Sequence, residues 1–197
     1  MNRDLNRGES VSTLDNKKAP NTLDENLEGI GVALKVHYLD ASVLVKLVAE
    51  DSFEEPGRCA IRKYFNKHAS FMTTSYCLSE TFSIFKVKYL YRKQITQEDY
   101  IRNIDNFIKN IVGGKLEIDE IPILSPILLI EAEKLIKKYD KKTDFIDAMQ
   151  IVAVLRGTYF RLCGRSKSIL ITADKNLAKV ARSEGAKAWY FVSEPPP

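Results

Sequence analysis

Three observations predict a three-layer α/β/α domain with a mainly parallel central sheet. Segments of strand character alternate with segments of helical period along most of the chain. Several of the strands are short and wholly apolar, as strands covered by helices on both faces are. Acidic residues fall just past strand ends, where open α/β sheets gather their ligands. With 197 residues, 45% of them apolar, the chain is long enough for one domain with a substantial core.

Residues 1–34 are rich in Asn, Asp, Ser, Glu and Gly, contain no aromatic side chain and show no sustained period, which predicts a flexible polar leader. The texture changes at Lys35. "KVHYLD" reads as a strand ending at Asp40, and "ASVLVKLVAE" as a helix that fades at "EDSFEEPG". "ASFMTTS" (69–75) is a second short strand, its Thr and Ser residues placed where the next helix should begin, and "YCLSETFSIFKVKYLYRK" runs helically for about four turns. "TQEDYIRNIDNFIKNIVGG" is a helix with a polar start and two closing glycines. "KLEIDEIPIL" alternates like a strand, and "SPILLIEAEKLIKKYDKK" opens with Pro126, whose missing N–H suits a first helical turn. "TDFIDAMQIVAVL" (143–155) is an apolar helix, "GTYFRLCGRS" a loop, "SILIT" a buried strand, "ADKNLAKVARSEGA" a helix ending near Gly185, and "KAWYFV" the last strand. "EPPP" is a tail, so the domain spans residues 35–193.

The formal net charge of +4 is too small to mark a polybasic binder, but it is unevenly placed: the leader carries −2 and the remainder +6. Three cysteines without CxxC spacing and two histidines argue against a disulfide framework or a structural zinc site, which fits a reducing cytoplasm. No apolar run approaches the roughly 18 residues of a membrane helix, and no signal-peptide pattern opens the chain, so the expectation is a cytoplasmic protein without a membrane partner.

Asp147 is the residue that demands an explanation. It sits in an oily helix, and a buried carboxylate without a partner costs several kcal/mol. Asp40 falls at the end of the first strand and Asp174 just after "ILIT". Glu80 lies one turn into the helix after the second strand, on a face shared with Ile84 and Val87, and Asp144 stands three residues before Asp147 on the same helix side. Such acids repel one another, and a hard divalent cation relieves the conflict. Oxygen-only donors suit Mg²⁺ or Mn²⁺, which neutralise charge on a phosphodiester and make a bound water more acidic. Each acid also has a plainer reading: Asp144 and Asp174 as helix caps, Asp147 as a dipole partner, Glu80 as a surface acid, Asp40 as a turn former.

"YLDAS", "LSETFS", "DFIDAMQIVAV" and "ITADKNLAKVA" together resemble the PIN-domain ribonucleases, most closely the VapC-type toxins of bacterial and archaeal toxin–antitoxin pairs. The resemblance covers Val36 to Val192. It rests on an Asp-x-Ser at the first strand end, a Glu in an early helix, an Asp-Ala pair opening a late apolar helix and a Thr-x-Asp after a late strand. It implies a PIN-like fold and an Mg²⁺- or Mn²⁺-dependent endoribonuclease with Asp40, Glu80, Asp147 and Asp174 as an acidic quartet. Ser42, Asp144 and Thr172 would support it by orienting carboxylates or water. It further implies a homodimer and a cognate antitoxin. The leader before the first strand is longer than in compact toxins of this kind.

For the RNA backbone the candidate cations are Lys46, behind Asp40, and Lys141 and Lys142, just ahead of Asp144; Lys86, Lys88, Arg92, Lys93, Lys137 and Lys138 read mostly as solvated helix faces. Tyr159, Phe160 and Arg161 could stack on bases or pack on the core. A phosphotransferase of the haloacid-dehalogenase class needs a second Asp where Ser42 stands, and a receiver domain needs an Asp at a strand end where "SFMTTSYC" has none. The remaining rival is a catalytically silent RNA- or protein-binding module of the same fold.

Overall fold

The computed structural model describes residues 36–49, 55–68, 71–120, 125–157 and 168–197. The leader and the segment carrying Tyr159, Phe160 and Arg161 lie outside the described residues. The elements in chain order are β1 (His37–Leu39), α1 (Ala41–Val48), α2 (Arg58–Lys67), β2 (Phe71–Thr74), α3 (Ser75–Lys86), α4 (Gln97–Val112), β3 (Leu116–Asp119), α5 (Pro126–Tyr139), α6 (Phe145–Arg156), β4 (Ile169–Thr172), α7 (Lys175–Ser183) and β5 (Lys187–Tyr190).

All five strands are parallel, in the order β3-β2-β1-β4-β5. The chain winds from the central β1 outward through β2 to β3, then crosses back to lay β4 on the other side of β1. The order therefore reverses between β1 and β4, and the crevice beyond their C-terminal ends is where such sheets bind ligands. Alternate strand residues feed two separate cores. Leu39, Phe71, Leu116, Ile169 and Ile171 pack against α1 to α4, while Val36, Tyr38, Met72 and Leu170 pack against α5, α6 and α7. Both faces of the sheet are thus covered, which is why its strands read as continuous apolar runs.

Helix α2 has no counterpart in the sequence reading. Its only buried side chains are Ile61, Tyr64 and Phe65, an i, i+3, i+4 set within an otherwise polar segment too short to show a sustained period. Two helix ends follow the predicted chemistry. Thr96 and Asp99 form a capping box at the head of α4. Gly185, at φ +87, closes α7 with its own N–H on the Arg182 carbonyl and the Ala186 N–H on that of Ala181, a Schellman pair that needs the left-handed conformation glycine tolerates. Beyond β5, Glu194 is held by the Trp189 indole N–H on its carbonyl, the Tyr190 N–H on its carboxylate and an ion pair with Arg182, so the chain stays anchored past residue 193.

Candidate active site

Asp40 is the N-cap residue of α1, held at the mouth of the crevice by its own N–H on the Ile171 carbonyl (3.1 Å). Its carboxylate is buried and accepts three hydrogen bonds. Ser42 Oγ (2.5 Å) and Thr172 Oγ1 (2.8 Å) donate to Oδ2, and Gln150 Nε2 (2.9 Å) donates to Oδ1. Both hydroxyls also accept: Ser42 Oγ from the Ala173 N–H (3.0 Å) and Thr172 Oγ1 from the Asp174 N–H (2.8 Å). Ser42 and Thr172 therefore stand where the Asp-x-Ser and Thr-x-Asp spacings put them, orienting Asp40 while tying the end of β1 to that of β4.

The heads of two helices bring further acids. Asp144 caps α6, its Oδ1 accepting the Asp147 N–H at 2.9 Å, and Asp174 caps α7, its Oδ1 accepting from Asn176 (2.6 Å) and Leu177 (3.0 Å). The cap reading holds for both, and it does not remove them from the cluster, since each bears on the acids behind it. Burial pushes Asp147 up to about 7, with the charges of Asp144, Asp40 and Asp174 adding to it. Glu80, on α3, is pushed up to about 7 by burial and by the charges of Asp40 and Asp144. Five acids thus share one electrostatic neighbourhood. Cys77 shares it too: burial, aided by the Asp40 charge, pushes its thiol up to about 12, which excludes it as a thiolate nucleophile.

The cations are less concentrated. Lys46 is occupied by Glu55 (2.9 Å) and the Pro56 carbonyl (3.2 Å), and Lys88 meets the same Glu55 at 2.7 Å. Burial would raise Glu55, but the hydrogen bonds from Lys46 and Lys88 outweigh it and hold that carboxyl down to about 2. Lys137 pairs with Glu133 and Lys138 with Glu184. Lys141 and Lys142 lie in the turn Asp140–Lys142 ahead of α6; the Lys142 side chain is exposed, and that of Lys141 lies outside the described set.

Two residues escaped the sequence reading. Gln150, one turn beyond Asp147, is 2% exposed, and its Oε1 has no hydrogen-bond partner. The signal was there: a polar residue in the same oily helix, at i+3 from Asp147, poses the question that Asp147 poses. Phe145, at the head of α6, is exposed and meets Tyr76 of α3 edge-on with ring centroids 6.0 Å apart.

The donor set fits a hard divalent cation in two respects. Its donors are all oxygens, two of them on carboxyls whose shared charge is relieved only by a proton or a cation, and a buried amide oxygen beside Asp40 lacks a donor. The acids are not drawn into a closed cage, however: among the described residues no three His, Cys, Asp or Glu side chains are grouped closely enough to hold a metal ion. An ion that keeps several of its waters, as Mg²⁺ does, is the kind such an open arrangement accommodates.

Several solved structures have a similar course. PAE2754 from Pyrobaculum aerophilum matches with 16% identity over 78% of this chain and 90% of that one, at a TM-score of 0.50. VapC20 of Mycobacterium tuberculosis, a Sarcin-Ricin loop cleaving toxin, matches with 12% identity over 73% and 93%, at 0.49. VapBC2 of Rickettsia felis, bound to a DNA fragment from their promoter, matches with 13% identity over 78% and 97%, also at 0.49. No protein-family model and no curated protein matches the chain. At such identities a likeness speaks to architecture, and the parallel sheet, its strand order and its two helical layers give this chain a three-layer PIN-like fold.

Proposed function

We propose that the protein is a divalent-metal-dependent endoribonuclease, hydrolysing RNA phosphodiester bonds at the crevice between β1 and β4. The observation that carries this reading is the pair of half-buried carboxyls, Asp147 and Glu80, pushed up to about 7 by burial and by the acids around them. A fold gains nothing in stability from such a cluster, and perturbed acids gathered in a cleft point to function. Asp40, Glu80, Asp147 and Asp174 would hold Mg²⁺ or Mn²⁺. Once bound, the ion neutralises charge on the phosphate and lowers the pKa of water at the site.

The chain's own groups do the rest. Asp40 is an oxygen ligand immobilised by three donors. Asp147 and Glu80, held near 7 by burial and by neighbouring acids in the metal-free site, would give up their protons to the cation and serve it as carboxylates. Asp144 and Asp174 set the heads of α6 and α7. Lys142, with Lys141 beside it, is the cation best placed in sequence to meet the RNA backbone. The motif resemblance to VapC-type toxins supports a working domain of residues 35–193, a homodimer and an antitoxin partner; the polar composition of residues 1–34 supports a leader, and the cysteine usage a cytoplasmic setting. Among the described residues no helix is long and apolar enough to cross a membrane.

The test is incubation with a pool of structured RNAs in Mg²⁺, in Mn²⁺ and in EDTA, beside the Asp147→Asn variant. Discrete fragments that need the metal and disappear in the variant are expected. RNA binding that persists in EDTA with no cleavage under either metal would sink the nuclease reading in favour of a silent binding module.

A further inference from the structure

We infer that Gln150 is a positioning residue of the metal site: it fixes Asp40 through its Nε2, and its Oε1 accepts a hydrogen bond from water that arrives with the cation. The inference rests on the metal-dependent reading above and adds to it a residue outside the acidic quartet.

Asp40 Oδ2 is already taken by two hydroxyls, Ser42 and Thr172, which leaves the orientation of Oδ1 to Gln150 at 2.9 Å. The amide can face only one way there. Turned over, it would set its carbonyl against the carboxylate, so Nε2 points to Asp40 and Oε1 points elsewhere. Elsewhere is an environment without a protein donor: Oε1 is buried and unpartnered. Leaving a buried acceptor unmatched is destabilising, a penalty that an apolar residue at this position would avoid. The surroundings favour an apolar residue, because Met149, Ile151 and Val152 beside it are all core. A glutamine kept under that penalty, one helical turn from Asp147 and in contact with Asp40, is explained when its second polar atom is satisfied in the loaded site. Metal ligands are held by outer hydrogen bonds of this kind, and losing one weakens metal binding about 10- to 100-fold.

Two variants and one measurement on the unaltered protein test this. Gln150→Met and Gln150→Leu keep the volume and remove both polar atoms. With folding checked by circular dichroism, Mn²⁺ affinity is measured by calorimetry on metal-free protein and is expected to fall about 10- to 100-fold. In the cleavage assay the Mn²⁺ requirement should rise by the same factor, saturating Mn²⁺ should restore kcat, and the KM for RNA should not move. In case neither variant folds, the side-chain amide resonance of Gln150 in the unaltered protein is followed during Mg²⁺ titration, and it should shift in step with saturation. A folded variant with unchanged Mn²⁺ affinity, a raised KM with unchanged affinity, or an amide signal that stays still while the protein saturates overturns the inference and leaves the nuclease reading intact. Unaltered protein that neither binds a divalent ion nor cleaves RNA overturns both.

Discussion

The two ends of the sheet both bury polar side chains and treat them in opposite ways. At the strand beginnings, His37 Nε2 and the Tyr64 hydroxyl share a 2.8 Å hydrogen bond among rings, with His68 at 4.9 Å and Phe71 at 5.3 Å from the His37 ring, centroid to centroid. These groups satisfy one another, and burial there raises the Tyr64 phenol, which keeps it uncharged. At the strand ends the buried and half-buried groups are acids that push one another up. The first arrangement serves cohesion. The second sets like charges together, a conflict that natural folds keep at functional sites.

The largest expected effect comes from removing one charge at the strand ends. Asp147→Asn should lower metal-dependent cleavage by at least about 100-fold, since losing a ligand costs no less than losing an outer-shell partner. The same variant should fold normally, and unchanged turnover by a well-folded preparation would remove Asp147 from the site. Next is Asp40→Ala, which strands the donors of Ser42, Thr172 and Gln150 together; a loss of about 3 kcal/mol is expected from unsatisfied buried groups, read by urea denaturation of metal-free protein. Equal midpoints for Asp40→Ala and the parent would show that the network carries no stability.

At the other end, Tyr64→Phe should cost about 1 kcal/mol through its lost hydrogen bond and leave cleavage as it was. A change in turnover there would blur the contrast between the two ends. A pH dependence separates the two ends as well. Asp147 and Glu80 bind protons more tightly folded, at about 7, than their usual 3.8 and 4.5, so between those values the folded state holds more protons than the unfolded one. These two groups therefore make the metal-free protein less stable as pH rises from about 4 to about 7, and Asp147→Asn should flatten that slope in thermal melts. A slope equally steep in the variant would assign it elsewhere.

Much of this was legible beforehand because the relevant constraints are local. Strand ends, helix heads and the spacings Asp-x-Ser and Thr-x-Asp are decided within a few residues, so Asp40, Ser42, Thr172 and Asp174 were placed without knowing the tertiary packing. The fate of the lysines was not legible. Lys46 and Lys88 converge on Glu55 from α1 and from the turn after α3, a meeting that no single stretch of sequence announces. Helix α2 has too few apolar periods to announce itself, and Gln150 is decided by a contact distant in sequence. Its partner stands 110 positions away.

The ring of hydroxyls around Asp40 also bears on how this protein can be disarmed. Ser42, just past β1, accepts from Ala173, just past β4, and both it and Thr172 at the end of β4 donate to the same carboxylate, so one acid closes the seam between β1 and β4. A chain that loses the acid at position 40 loosens its central joint and becomes a candidate for proteolytic clearance. A chain that loses the acid at 147 sheds a repulsive charge and keeps that joint. Under the proposed nuclease reading, inactive forms for capturing a bound RNA are therefore better sought on helix α6 than on the sheet.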